Sequence, residues 1–150
     1  MVPGAKASHS AKVATMRLDA LGLIGNCQYA ALVHRDGTVV WCCLPRFDSE
    51  PIFGSLLDAE GGGRFQVGPA SGAPGVQRYL PNTNVLETTF DDGTDAFRLV
   101  DFAPRFEQHE RSFRPTQLFR LLEPLRGQPH VRVICDPRLG WSRRHPQVLQ

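Results

Sequence analysis

Lysine is almost missing from this chain: Lys6 and Lys12 stand against fifteen arginines. That bias points to a GC-rich bacterial genome and says nothing physical about a ligand. No apolar run approaches the ~20 residues a membrane-spanning helix needs, so no membrane association is expected. The first seventeen residues carry Lys6, Lys12 and Arg17 without an apolar core, so they do not read as a secretory signal. Residues 1–17 are expected to be a flexible tail, and the expected location is the cytoplasm. Cys27, Cys42, Cys43 and Cys135 form no Cys-x-x-Cys pair, and His34, His109, His130 and His145 are scattered singly. No metal site is therefore expected, and the thiols read as small buried hydrophobes in a reducing compartment. Gly-x-Ser-x-Gly is absent, and Ser142 and His145 are merely near neighbours in a polar tail, which excludes a serine nucleophile of that type. The triplet Gly61-Gly62-Gly63 lacks a following Lys-Ser/Thr and any strand-to-helix frame, so it reads as a turn and not a phosphate cradle. No cofactor is expected.

What remains is a soluble globular composition, 41% hydrophobic and 21% charged over 150 residues, enough for one domain with its own core. Charge is uneven. Residues 1–100 hold eight Lys/Arg and ten Asp/Glu, whereas residues 101–150 hold nine arginines and five acids. An arginine-rich end can track phosphates, but Arg120, Arg126 and Arg132 alternate with apolar residues or sit by turns. That pattern suits solvated strand faces, and no nucleic-acid partner is expected.

The organising stretch runs from Leu23 to Leu57. Two apolar runs, 28–34 and 38–44, flank Arg35-Asp36-Gly37, a strong hairpin signal because Gly37 supplies positive φ without strain. The second run, 39–44, lacks clean alternation and so predicts a strand covered on both faces. Pro45 ends it. Asp48 or Ser49 then suits the cap of a short helix over 50–57, with Pro51 in its first turn. Further strands are expected over 64–67, 76–80, 84–90, 96–102, 117–123 and 131–135. Asp92-Gly93 marks a second hairpin, and the last two strands lie at hairpin distance from each other. Residues 103–115 are expected to form a long polar loop.

The string from Leu23 through Leu44-Pro45-Arg46-Phe47-Asp48-Ser49 resembles the N-terminal β-domain of bacterial and archaeal family 15 glycoside hydrolases, the glucoamylase and trehalase-like enzymes. Tyr79-Leu80-Pro81-Asn82-Thr83-Asn84-Val85-Leu86-Glu87-Thr88-Thr89-Phe90 and Val100-Asp101-Phe102-Ala103-Pro104-Arg105 continue the resemblance, which covers residue 18 to the C-terminus. It implies an all-β, antiparallel sandwich over 18–150, incomplete, with exposed strand edges and one short helix. It also implies that the catalytic pair of glutamates sits on an (α/α)6 barrel that this chain, as a truncated or split product, lacks. That barrel is the implied partner, in cis or in trans, with trehalose or α-glucosides as the implied sugars. A stand-alone carbohydrate- or protein-binding module acting in trans is the alternative.

Glycoside hydrolysis needs two carboxylates held across the scissile bond. Asp48, Glu87, Asp95 and Asp101 are the candidates, yet nothing in the sequence pairs them, and Glu87 and Asp101 read equally well as buried structural acids. No catalytic residue is assigned. Arg46, Phe47 and Asp48 are the candidate substrate-binding residues: a ring able to stack on a sugar face, between two groups able to bond its hydroxyls. The competing reading is an internal Arg46–Asp48 ion pair with Phe47 packed into an interface.

Overall fold

The computed structural model describes residues 16–142 and 144–146; residues 1–15 of the expected tail lie outside them. Turn chemistry and alternation organise the first sheet. β1 (Leu21–Gly25) pairs with β2 (Ala30–His34), and β2 with β3 (Thr38–Cys43). Gly37 makes the turn at φ +80°, closed by its N–H donating to the His34 carbonyl, while Asp36 Oδ1 accepts from the Thr38 amide. A Cβ on Gly37 would lie 1.9 Å from the Val67 carbonyl, so close approach as well as backbone conformation demands glycine here. β4 (Pro51–Phe53) and β5 (Arg64–Pro69) both add to β3, and β12 (Val131–Asp136) adds to β5. As the broken alternation of 39–44 predicted, β3 is buried on both faces, with a bulge where Val39 and Trp41 oppose consecutive residues of β2.

The second sheet runs β11 (Phe119–Arg126), β8 (Ala96–Phe102), β7 (Leu86–Asp91), β6 (Val76–Tyr79), all antiparallel. Its inward residues meet those of the first sheet in two apolar clusters. Ile24, Val33, Val39 and Cys42 surround Leu86; Val67 packs with Phe90, Phe97 and Leu99. This is the expected antiparallel sandwich. Between the clusters lies a polar link. Arg120 Nε donates to Asp101 Oδ1 at 2.8 Å, and its other nitrogens donate to the Phe65 and Gly37 carbonyls at 2.8 and 2.6 Å. The guanidinium also sits 4.8 Å from the Phe65 ring centroid. Both side chains are almost wholly buried, so β11 is tied to the β2–β3 turn and to β5 across the layer.

Charges on the outer face of the second sheet form a ladder. Arg78, Glu87, Arg98 and Glu123 alternate in sign across β6, β7, β8 and β11, with contacts of 2.6, 3.0 and 2.5 Å. Glu87 is 2% exposed despite facing outward, because the flanking guanidinium groups cover it.

Three expectations are corrected. Residues 50–57 do not form a helix. Pro51–Phe53 joins β3 as an edge ladder, which a proline tolerates, and tight turns follow; helix is confined to 3₁₀ turns at Leu18–Ala20 and Gly140–Ser142 among the described residues. The strands around 119–126 and 131–136 do not pair with each other. Gly127, at φ +68°, carries the chain from one sheet to the other, so β11 joins β8 and β12 joins β5. The expected loop 103–115 instead contains β9 (Phe106–Gln108) and β10 (Arg111–Phe113), paired only with each other.

β1 and β6 end the two sheets on one flank, and β11 and β12 end them on the other, where Arg120 of β11 reaches Phe65 beside β12. Inward positions there are open: Leu122 is 41% and Val133 63% exposed, against 0–6% for their counterparts Leu99 and Val67 on the strands beside them.

Candidate functional site

Pro45 ends β3 through a cis Leu44–Pro45 peptide, and the next four residues close on themselves before Pro51 opens β4. The Ser49 N–H donates to the Arg46 carbonyl at 3.1 Å, and the Arg46 N–H to Ser49 Oγ at 3.2 Å. Arg46 Nε and a terminal nitrogen then grip both oxygens of Asp48, at 2.9 and 2.5 Å. Hydrogen bonding to Arg46 pulls the Asp48 carboxyl below the ordinary range, and Asp48 raises Arg46 in turn. The internal ion pair foreseen from the sequence is therefore formed. Phe47 is 58% exposed and stands on a ridge. On one side is an apolar surface of Leu23, Ala30, Leu32, Trp41 and Cys43; on the other is an open cleft.

That cleft is lined by Cys27, Gln28, Arg46, Phe47, Asp48, Ser112 and Arg114. Sequence reading missed Gln28, Ser112 and Arg114, because they come from the β1–β2 turn and from the 106–113 hairpin, whose closeness only the fold creates. Asn26 makes that closeness rigid. It is 2% exposed, and its Nδ2 donates to the carbonyls of both Pro104 and Pro115, at 3.1 and 2.9 Å, clamping the two roots of the hairpin. Its Oδ1 accepts from the Gln28 N–H, setting the turn that carries Gln28 to the cleft. The cleft thus offers one ring, a guanidinium–carboxylate pair, an amide, a hydroxyl and a second guanidinium: donors and acceptors suited to a polyhydroxylated ligand.

The remaining acids are engaged elsewhere. Glu87 is held by Arg78 and Arg98, and Asp101 by Arg120. Burial pushes the Asp101 carboxyl up, with Arg120 pulling it partly back. Asp95, in the β7–β8 turn, accepts the Gln128 N–H of the β11–β12 connection at 2.9 Å, at the end of β8 opposite the cleft, about 20 Å along the strand. The structure brings together none of the four candidate carboxylates. Among the described residues no cluster of three metal-ligating side chains occurs, and no helix is long and apolar enough to cross a membrane. Cys42 and Cys43 are buried, and burial pushes Cys42 up to about 12; Cys27 and Cys135 are exposed, contrary to the reading of all four as buried.

The sequence profile described as "Trehalase-like, N-terminal" matches residues 10–149. The chain belongs to that family. Trehalase of Mycolicibacterium smegmatis is 40% identical over 136 residues, covering 81% of this chain and 20% of its own length. Trehalase of Thermoplasma volcanium is 34% identical over 130 residues, with 85% and 20% covered. Trehalase of Mycobacterium tuberculosis is 29% identical over 126 residues, with 75% and 18% covered. No solved structure matches the chain. The chain therefore spans about a fifth of the length of these curated relatives.

Proposed function

We propose that this chain is the non-catalytic N-terminal β-domain of a family 15-type glycoside hydrolase of the glucoamylase and trehalase kind, acting in carbohydrate metabolism in the bacterial cytoplasm. Its catalytic carboxylates belong to an (α/α)6 barrel outside the chain. The cleft beside Arg46, Phe47 and Asp48 forms one wall of the sugar pocket, taking trehalose or related α-glucosides. The observation that carries this reading is the disposition of acids. Asp48 is the single carboxylate among the residues lining the cleft, whereas hydrolysis requires two across the bond, roughly 5–10 Å apart. One positioned acid supplies about 10²–10⁴-fold, far below the accelerations of about 10⁶-fold and more that enzymes reach. The purified chain should accordingly leave trehalose, maltose and isomaltose uncleaved. Turnover abolished by Asp48→Asn would sink the assignment of catalysis to the barrel.

The open β11–β12 flank, with inward Leu122 and Val133 exposed, favours completion of the sandwich by further strands of the same protein. A stand-alone sugar-binding module is the second reading, favoured by the preformed cleft. Calorimetry with the same sugars separates the two: micromolar binding by the isolated chain supports the module, silence supports a wall that needs its barrel.

A further inference from the structure

The 106–113 hairpin is built as an arm. β8 and β9 on one side, β10 and β11 on the other, run as one long ribbon: Phe102 opposes Phe119, and beyond a break Phe106 opposes Phe113. Both pairs stack, with ring centroids 5.2 and 5.4 Å apart. Past that break the ribbon pairs with neither sheet; its own ladder holds it, and its roots are tied to the β1–β2 turn by Asn26, Gln28 and Tyr29 and by Arg105 donating to Cys27 Sγ. Alternation gives the arm two unlike faces. Ser112 and Arg114 look into the cleft, whereas Phe106 lines a second groove with Phe102, Val85 and Pro104. In that setting Phe106 remains 48%, Phe113 41% and Phe119 40% exposed. A ribbon that carries uncovered rings where it leaves the sheet, and a turn at His109-Glu110 beyond them, adds nothing to the core of this domain. Arg105 and Arg111 stand near the rings in the chain, with Glu107 and Glu110.

We propose that the arm is the surface on which the remainder of the full-length enzyme seats. Its occupant is an apolar recess of the catalytic part with a polar rim, and its seating closes the cleft on the other face of the arm. This rests on the reading of the chain as one fifth of a trehalase-like hydrolase; the relatives supply the missing four fifths as the occupant. Hydrophobic rings centred within a polar rim are the ordinary anatomy of such an interface.

The test replaces the matching fifth of Mycolicibacterium smegmatis trehalase with this chain and compares hydrogen exchange over residues 106–113 in the chimera and in the isolated chain. At least about tenfold slower exchange in the chimera is expected, lost in Phe106→Ser/Phe113→Ser. The same double variant should leave the melting temperature of the isolated chain unchanged, while Val76→Ser, an exposed residue on β6, leaves arm protection in the chimera intact. Equal exchange in the two contexts overturns the proposal, as does a chimera whose two parts melt independently. A double variant that unfolds the isolated chain overturns it too, by showing that the rings serve this domain's own stability. Sedimentation covers the rival occupant: an isolated chain that dimerises through Phe106 and Phe113 marks the arm as a contact between copies. Sugar cleavage by the isolated chain would sink the functional reading and leave the exchange comparison readable.

Discussion

Arg120→Met tests the polar link between the sheets. Asp101 is 0% exposed, so removing its cation leaves a carboxylate that water does not reach. Breaking a buried pair by deleting one member typically costs about 3–5 kcal/mol. Native stability of a domain this size is about 5–15 kcal/mol, so the variant forfeits a large share. With roughly 3–5 °C lost per kcal/mol at this chain length, the melting temperature should fall by about 10–20 °C. Urea titration at pH 7 should move its midpoint down by about 2 M. Asp101→Leu leaves Arg120 stranded and should cost a similar amount. The double variant should cost much less than the sum, because it leaves no buried charge unpaired and the Gly37 carbonyl still accepts the Val67 N–H at 3.1 Å. In Arg120→Met the deficit should also narrow as pH falls from 7 to 5. Without its cation the raised Asp101 carboxyl rises further, and protonation removes the buried charge. Single variants that each cost under about 1 kcal/mol, or costs that simply add, would refute the account of the link as a coupled buried pair.

Gly37→Ala should destabilise by on the order of 2–4 kcal/mol, from left-handed strain plus the Val67 carbonyl, whereas Gly93→Ala, with open space around it, should cost only about 1 kcal/mol; chemical denaturation compares them. Native alkylation at pH 8 should modify Cys27 and Cys135 quickly and Cys42 and Cys43 only on unfolding, which peptide mapping reads directly. Carboxyl NMR titration should find Asp92 below the ordinary range, held by the Asp95 and Thr94 N–H groups, and Asp101 above it through burial. The signs of their linkage then differ: the Asp92 contribution is present above its unfolded value and lost as pH drops through the depressed one. The Asp101 contribution is greatest below its unfolded value and declines as pH rises through the raised one.

Strands bounded by local chemistry were legible in the sequence. Asp36-Gly37 and Asp92-Gly93 fix their turns through contacts within three residues, and 96–102 forms a strand at the expected bounds. Features decided at a distance were not legible. Asp48, Ser49 and Pro51 are sound helix-start chemistry, yet the free side of β3 at Cys42 and Cys43 captures Pro51–Phe53 as a strand. Gly127 looks like a hairpin glycine, but Arg120 is already pledged to β5 across the layer, and β12 crosses over to the first sheet. For the site, the Arg46–Asp48 loop announced itself because its members are contiguous. Gln28, Ser112 and Arg114 did not, since Asn26 assembles them from segments 78 and 89 residues away.

The ladder of Arg78, Glu87, Arg98 and Glu123 has a bearing on how the second sheet finds its alignment. Each of the four strands brings one member on the outer face: Arg78 lies directly opposite Glu87 and Glu123 directly opposite Arg98, while Glu87 and Arg98 meet on a diagonal. Sliding any inner strand by two residues keeps its apolar side inward, so the core alone resists that error weakly. The same slide of β7 takes Glu87 from Arg78, and of β8 takes Arg98 from Glu123, so each breaks a directly opposed ion pair. The row of charges therefore acts as a key whose teeth engage in a single position, rejecting the near-miss pairings that the hydrophobic pattern would tolerate.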